Sequence, residues 1–195
     1  MRPVVLCDLD HTLADSYWRD CLMPLVHETG DWSTYYSCQR ADRPFLPWIE
    51  FVGSLADDYD VWILTARRED YRDDTEWWLD EYKVRRVGVL MRPNGDLRRS
   101  PELKFALAEP LLLRVRLLID DRDDVLDYFV ANRICVLKSG RKDERSDPVH
   151  GNRYRLGSVA DARIRLGILE RHEKDVRGVE IDGEFFPRSN FEVKK

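Results

Sequence analysis

The chain has 195 residues, of which 43% are hydrophobic and 35% are charged, and its formal net charge is −5. This length and composition favour one folded domain over a disordered chain, and the lack of any apolar run near 20 residues excludes a predicted membrane helix. The negative charge disfavours a protein that coats nucleic acid without sequence preference.

Five short apolar runs predict β-strands, and four segments between them have helical spacing. The strands are predicted at 3–7, 60–64, 86–90, 115–119 and 133–137. The first run does not alternate with polar residues, so we expect burial on both faces. The helices are predicted around 45–55, over 71–82, over 101–108 with Ser100 as N-cap, and around 125–130. This alternation predicts an α/β, Rossmann-like fold with a mainly parallel five-stranded sheet and helices on both faces.

Polar side chains follow three of the predicted strands, where ligands bind in sheets of this type. These side chains are Asp8, Asp10 and Thr12, then Thr65 to Arg68, then Asp120 to Asp124. Lys104 lies in the helix that precedes the fourth strand. We therefore expect carboxylates, a hydroxyl, a guanidinium and an ammonium to meet at one edge of the sheet.

Two carboxylates directly after a buried strand repel each other, so they need either a raised pKa or a nearby cation. A hard cation such as Mg²⁺ takes oxygen ligands and also binds substrate phosphate. The sequence predicts a Mg²⁺ site around Asp8, Asp10, Asp120 and Asp121, with the choice between Asp120 and Asp121 left open.

The same residues suit phosphoryl transfer. A carboxylate such as Asp8 can attack phosphorus and form an aspartyl-phosphate, provided that cations and donors surround the transferred group. Asp10, two residues further on, can protonate the leaving oxygen and then activate water. Thr65 and Lys104 are expected to hold the phosphate.

Four segments resemble the motifs of haloacid dehalogenase-type phosphatases: DLDHT (8–12), ILTAR (63–67), PELKF around Lys104, and LLIDDRDD (117–124). They occur in the family's order. The resemblance implies that Asp8 is the nucleophile and Asp10 the acid/base. It also implies that Thr65 and Lys104 hold the phosphate and that Asp120 and Asp121 form the acidic pair of the metal site. His11 replaces a glycine common in the first motif, and we expect it to be incidental to the chemistry.

Within this superfamily, three features resemble the 3′-phosphatase domain of bacteriophage polynucleotide kinase/phosphatases: Arg19, Arg67, and NGDLRRSPELK (94–104). Arginine can bind phosphate oxygens bidentately, so Arg19 and Arg67 are predicted to bind substrate, with surface ion pairs as the alternative. Ser100 departs from the aspartate of those enzymes. The resemblance implies Mg²⁺-dependent removal of a 3′-phosphate from polynucleotide ends, as in nucleic-acid repair.

Two other functions stay open. A 5′(3′)-deoxyribonucleotidase, which acts on nucleoside monophosphates, shares the Ile-Asp-Asp ending of the fourth strand, and a non-catalytic binding protein would keep the fold. The aromatic residues predicted near the site either stack on a base or pack under a loop; they are Trp18, Trp32, Tyr35 and Tyr36. No G-x-x-x-x-G-K-[ST] motif occurs, so a kinase or ligase partner would be a separate chain.

Residues 1–140 are predicted to form the phosphatase core, with a small cap insertion at about 14–43. Residues 141–195 are predicted to form an extension that packs on the core or pairs with another subunit, with an amphipathic helix over 158–174 and a hairpin over 179–186. Residues 1–3 leave no room for a signal peptide before the first strand, and the four cysteines lack a C-x-x-C pair. Both features predict a cytoplasmic location.

Overall fold

The computed structural model describes residues 1–139 and, beyond them, the backbone of four strands. The described residues contain eleven strands: β1 (Val4–Cys7), β2 (Ala14–Asp15), β3 (Arg43–Pro44), β4 (Asp60–Arg68), β5 (Gly88–Arg92), β6 (Val115–Asp120), β7 (Val136–Lys138), β8 (Arg141–Asp143), β9 (Asp147–Asn152), β10 (Gly178–Ile181) and β11 (Glu184–Pro187). They also contain six α-helices: α1 (Met23–Thr29), α2 (Ser33–Ser37), α3 (Leu46–Leu55), α4 (Arg72–Glu81), α5 (Ser100–Ala108) and α6 (Asp123–Ala131).

Five strands form a parallel sheet in the order β5-β4-β1-β6-β7. The central strand β1 is buried along its whole length, as its unbroken apolar run predicts. The chain first builds the sheet from β1 through β4 to β5 and then crosses to β6 and β7 on the other side. The strand order therefore reverses beside β1, where ligands bind in sheets of this kind.

Helices cover both faces of this sheet, which confirms the predicted α/β class. Val5 and Cys7 of β1 point to the face covered by α3 and α4, whereas Val4 and Leu6 point to the face covered by α5 and α6. Successive residues of a strand point to opposite faces, so β1 contributes to two hydrophobic cores at once. All four predicted core helices are present.

Several element boundaries differ from the sequence prediction; for example, the strand predicted over 86–90 is β5 (Gly88–Arg92). Ser100 is the first residue of α5, and Arg99 takes the N-cap position that was predicted for Ser100. The last strand of the sheet was predicted over 133–137 but begins at Val136. Arg133 has a left-handed backbone (φ 64°) in the turn after α6, so the strand starts later and Cys135 precedes it.

Residues 14–43 leave the core between β1 and α3, and we call them the insertion. The antiparallel pair β2–β3 closes the insertion at its base, with Ala14 opposite Pro44 and Asp15 opposite Arg43. Between these strands lie α1, α2 and two 3₁₀ turns (Tyr17–Leu22 and Gln39–Ala41). The insertion has a small hydrophobic core of its own, made of Val26, Tyr35 and Tyr36 with Trp32 packed against it.

Beyond residue 139, β8 pairs with β9 and β10 pairs with β11, both antiparallel. Ile181 lies opposite Glu184, which confirms the predicted hairpin, although its turn at 182–183 lies outside the described residues. The amphipathic helix predicted over 158–174 also lies outside them. Within the part of the chain that the structure describes, no helix combines the length and apolar character that a bilayer crossing requires.

Candidate active site

The ends of three neighbouring strands meet where the chain carries its acidic motifs. Asp8 directly follows β1, and its backbone N–H donates to the Ile119 carbonyl of β6 (2.8 Å). Asp120 ends β6, and its carbonyl accepts the N–H of Ser139, just beyond β7 (2.9 Å). The Thr12 hydroxyl lies 2.7 Å from the Ser139 hydroxyl and 3.5 Å from Asp8 Oδ2. Groups far apart in sequence are thus joined at one edge of the sheet.

The strand β4 is longer than predicted and runs to Arg68. Its pairing with β5 shifts register between Leu64 and Arg68, so the extended portion departs from the regular sheet. Thr65 and Arg67 therefore lie within this strand rather than after it, and both are buried. The Thr65 hydroxyl accepts the backbone N–H of Arg67 (3.2 Å).

Asp8, Asp120 and Asp121 form a group of carboxylates that we call the acidic cluster. One carboxylate oxygen from each residue lies within 4.8 Å of the others. The Lys104 ammonium, which α5 carries, donates to Asp8 Oδ1 (2.6 Å) and to Asp120 Oδ2 (2.7 Å). Within the described residues, Lys104 thus bridges two of the three carboxylates, and its single positive charge does not balance all three.

Burial raises the pKa of Asp8 and Asp120, because a charged carboxylate loses its hydration there. Lys104 opposes this effect, while repulsion among the carboxylates adds to it. Burial alone would lower the pKa of Lys104, but its two carboxylate partners outweigh burial and raise it. Carboxylate oxygens are the ligands that hard divalent ions prefer. The donor set therefore fits a divalent metal ion, held by Asp8, Asp120 and Asp121.

Asp10 was predicted to lie with these carboxylates, but its side chain contacts two arginines instead. Arg19 Nη2 donates to Asp10 Oδ1 (2.6 Å), and Arg67 donates to Asp10 through Nε (2.9 Å) and Nη2 (2.7 Å). Asp42 also accepts hydrogen bonds from Arg19 (2.7 and 2.9 Å) and from Arg67 (2.8 Å). We call these four residues the arginine network. The structure does not bring the Asp10 carboxylate into the acidic cluster.

The arginine network is electrically balanced and buried. Burial raises the pKa of Asp10, but the Arg67 and Arg19 guanidiniums outweigh burial and hold that pKa well below its usual range. Arg19 and Arg67 are 0% and 1% exposed, so they do not form the surface ion pairs considered as the alternative. Among the described residues, Arg67 Nη1 has no hydrogen-bond partner, which leaves one donor for an anion.

Asp42 is a site residue that sequence reasoning missed. Its carboxylate is fully buried, and it also accepts the indole N–H of Trp18 (3.0 Å). Charge balance was the available signal, because two buried arginines need two carboxylates. The sequence could not single out Asp42 as the second carboxylate, because the insertion contains several other aspartates, such as Asp15, Asp20 and Asp31.

His11, which we expected to be incidental, lies against the acidic cluster. Its backbone is left-handed (φ 61°), and its ring stacks on Tyr17 with centroids 3.9 Å apart. Nδ1 lies 3.6 Å from Asp121, and Nε2 lies 3.3 Å from Asp20 of the insertion. Burial would lower the pKa of His11, but the two carboxylates raise it to about 10. The glycine usual at this position was a hint of the left-handed backbone.

No protein-family profile matches the chain, and no curated protein matches its sequence. Solved structures do match. A chain of the Pnkp1/Rnl/Hen1 complex is 26% identical, with a TM-score of 0.55 over 70% of this chain and 46% of that chain. In another structure, of the Pnkp1/Rnl/Hen1 RNA repair complex, the match has 24% identity and a TM-score of 0.57 over 77% of this chain and 44% of that chain. The present chain thus spans less than half the length of those chains.

A third match extends over a whole single protein. The HAD-hydrolase YfnB from Bacillus subtilis, in a structure bound to magnesium, is 10% identical and has a TM-score of 0.55. The match covers 86% of this chain and 99% of that chain. At such low identity the likeness is one of fold.

Proposed function

We propose that this chain, which has the haloacid dehalogenase (HAD) fold, is a Mg²⁺-dependent phosphomonoester hydrolase that forms an aspartyl-phosphate. The observation that carries the proposal is the difference between two carboxylates of one motif. Asp8 lies in a buried acidic cluster that fits a divalent ion, and Asp10 lies between two arginines. This arrangement supports one carboxylate as the nucleophile and the other as the acid/base.

In the first step a carboxylate oxygen of Asp8 attacks the phosphorus, and the bond from phosphorus to the leaving oxygen breaks. Asp10 gives its proton to that oxygen. Lys104, already bonded to Asp8, and the Thr65 hydroxyl hold the phosphoryl oxygens. Mg²⁺ held by the acidic cluster supplies further charge stabilisation when it is bound.

In the second step water attacks the phosphorus, Asp10 takes a proton from the water, and the bond between phosphorus and Asp8 breaks. Inorganic phosphate leaves, and both aspartates return to their starting forms. The ionised Asp10 favoured by Arg19 and Arg67 is the form that this step needs.

The first step needs a protonated Asp10, so the arginines must turn from Asp10 toward the bound substrate. Arg67 has a free donor, Nη1, among the described residues, and guanidiniums bind phosphate oxygens well. These features support Arg19 and Arg67 as substrate-binding residues. In the structure, Asp10 and Asp42 accept hydrogen bonds from most of the donors of these two arginines.

As substrate we propose a polynucleotide end that carries a 3′-phosphate. Nucleic-acid repair removes phosphates of this kind. Support comes from the 26% identity to a chain of a complex that carries out RNA repair, and from the two arginines beside Asp10. We also propose a kinase or ligase as partner, since the given residues contain no G-x-x-x-x-G-K-[ST] motif of a nucleotide-binding kinase. The proposed location is the cytoplasm.

The test of the substrate compares phosphate release from 3′-phosphorylated RNA and DNA oligonucleotides with release from deoxynucleoside monophosphates. Each reaction is run with Mg²⁺ and with a chelator. We expect a preference for the oligonucleotides and no release in chelator. A preference of about a hundredfold for the monophosphates would instead establish the deoxyribonucleotidase alternative.

The test of the mechanism is Asp8→Asn, which should lower phosphate release by roughly a thousandfold or more because an amide cannot act as the nucleophile. The fold should survive, since the substitution removes one charge from an overcharged cluster. Asp127→Asn, on the exposed face of α6, is the matched control and should keep full activity. Full turnover by Asp8→Asn would show that Asp8 is not the nucleophile. If the unaltered protein released no phosphate from any substrate, a non-catalytic binding protein would be favoured.

A further inference from the structure

The four aromatic side chains of the insertion that were predicted near the site, Trp18, Trp32, Tyr35 and Tyr36, fall into two kinds in the structure. Trp32 stacks on Tyr36 and meets Tyr35 edge-on, with ring centroids 5.7 Å apart in both pairs. Tyr36 also contacts Tyr71, which precedes α4 (5.0 Å). These three rings therefore pack the insertion against the core. Trp18 is different, because it is 48% exposed.

Although its ring is exposed, Trp18 is held by one edge. The indole N–H donates to Asp42 Oδ1 (3.0 Å), and the other oxygen of Asp42 accepts from Arg67, which binds Asp10. Hydrogen-bonded atoms lie about 3 Å apart, so this path places the indole within about 11 Å of the Asp10 carboxylate. An aromatic ring held by a hydrogen bond thus lies no farther from the Asp10 carboxylate than about the length of one nucleotide.

We propose that Trp18 is the stacking surface for the nucleobase of the nucleotide whose phosphate is removed. The inference rests on the proposed function and deepens it, because it assigns a place to the base of the substrate. Every base has a π-face, so stacking on an indole favours nucleotides over phosphate esters without a base and discriminates little among bases. The hydrogen bond to Asp42 fixes the ring before binding, which reduces the entropy lost when a base stacks.

Trp77 provides a matched control for an exposed tryptophan outside this site. It is 41% exposed on α4, and its ring lies under the Arg40 guanidinium, 5.0 Å from the ring centroid. Arg40 in turn pairs with Asp74 of the same helix. Trp77→Ala therefore removes a similar exposed surface without touching the arginine network.

The experiment measures KM and kcat for phosphate release from two 3′-phosphorylated oligonucleotides that differ only in the terminal nucleotide, which is normal in one and abasic in the other. Trp18→Ala should raise KM for the normal substrate about tenfold more than KM for the abasic one. Trp18→Phe keeps an aromatic ring but lacks the N–H, so it should recover most of the affinity. Trp77→Ala should behave like the unaltered protein.

Three results would overturn the inference. The first is an equal KM change on both substrates, which would mean that Trp18 acts only by supporting Asp42. The second is a Trp18→Phe variant as impaired as Trp18→Ala, and the third is a Trp18→Ala variant with unaltered KM. In each case phosphate release by the unaltered protein would leave the proposed function standing. No release from either substrate would overturn the proposed function itself, and this inference with it.

Discussion

Asp8 and Asp10 are separated by one residue, yet they lie in opposite electrostatic surroundings. In the acidic cluster, Lys104 bridges two of the three carboxylates, and burial raises the pKa of Asp8. In the arginine network two carboxylates balance two guanidiniums, and the pKa of Asp10 is held low. The first region is compatible with a further cation, whereas protein groups alone neutralise the second.

The difference comes from the elements that surround each carboxylate. The acidic cluster is built from the ends of β1 and β6 and from α5, so it belongs to the sheet. The arginine network adds Arg19 and Asp42 from the insertion, which lies outside the sheet. The two carboxylates of a single short motif therefore lie in different surroundings, because a separate segment neutralises only the second one.

The largest expected effect comes from Asp10→Asn, which removes the proposed proton donor. We expect kcat to fall by about 100- to 10,000-fold on a phosphate ester with an alkyl leaving group. The loss should be smaller with p-nitrophenyl phosphate, since its leaving group needs less help from an acid. Equal losses on both esters, or a loss of only about twofold, would contradict the acid/base assignment.

Asp42→Asn tests whether the arginine network is balanced by charge. It leaves two buried guanidiniums with one carboxylate, so the free energy of unfolding should fall by about 3–5 kcal/mol. The measurement is urea unfolding of the metal-free protein. Asp124→Asn breaks the exposed pair with Arg122 and should cost less than about 1 kcal/mol. If the two variants lost similar free energies of unfolding, burial would not explain the contribution of the Asp42 ion pairs to stability.

Mg²⁺ tests the acidic cluster in the absence of any substrate. At about 100 times its Kd, an ion that binds only the folded protein adds about 2.7 kcal/mol to the free energy of unfolding. Asp121→Asn should reduce this gain, whereas Asp127→Asn should retain it. Thermal unfolding is measured across a Mg²⁺ titration and in chelator. If the unfolding temperature of the unaltered protein did not change with Mg²⁺ concentration, the proposed metal site would be contradicted.

His11 gives the smallest expected effect, in the dependence of stability on pH. Its pKa is raised from 6.5 to about 10, so its stabilising charge is complete below about pH 6.5 and is lost as pH rises through about 10. In metal-free protein, the stability difference between the unaltered chain and His11→Gly should shrink by about 1 kcal/mol over that range. Glycine accepts the left-handed backbone, so the substitution adds no strain. If the stability difference between the two proteins grew with pH instead, the proposed charge pairing of His11 with Asp20 and Asp121 would be contradicted.

The sheet and the acidic cluster could be predicted because simple rules govern both. Unbroken apolar runs mark buried parallel strands, and the carboxyl ends of such strands meet at one edge. Asp8, Asp120 and Asp121 follow two of those strands, so their proximity follows from topology. Lys104 was predicted to join them because it lies on the helix before the fourth strand, and the resemblance to known motifs supported that position although a lysine on a helix usually faces solvent.

The arginine network could not be predicted in the same way. Its geometry depends on the path of the insertion, whose short helices and 3₁₀ turns have no strong periodic pattern in the sequence. Arg19 and Arg67 were identified as site residues, but their binding to Asp42 was not. The contact of His11 with Asp121 was missed for a similar reason, because a left-handed residue sets the direction of its side chain.

The burial of Lys104 links folding to site assembly. The residue is 2% exposed, and a charge at that depth is stabilised by partners of opposite charge. Docking of α5 on the sheet therefore brings the lysine between Asp8, after β1, and Asp120 of β6. Packing of this helix on the sheet and assembly of the acidic cluster around Lys104 are therefore one and the same step.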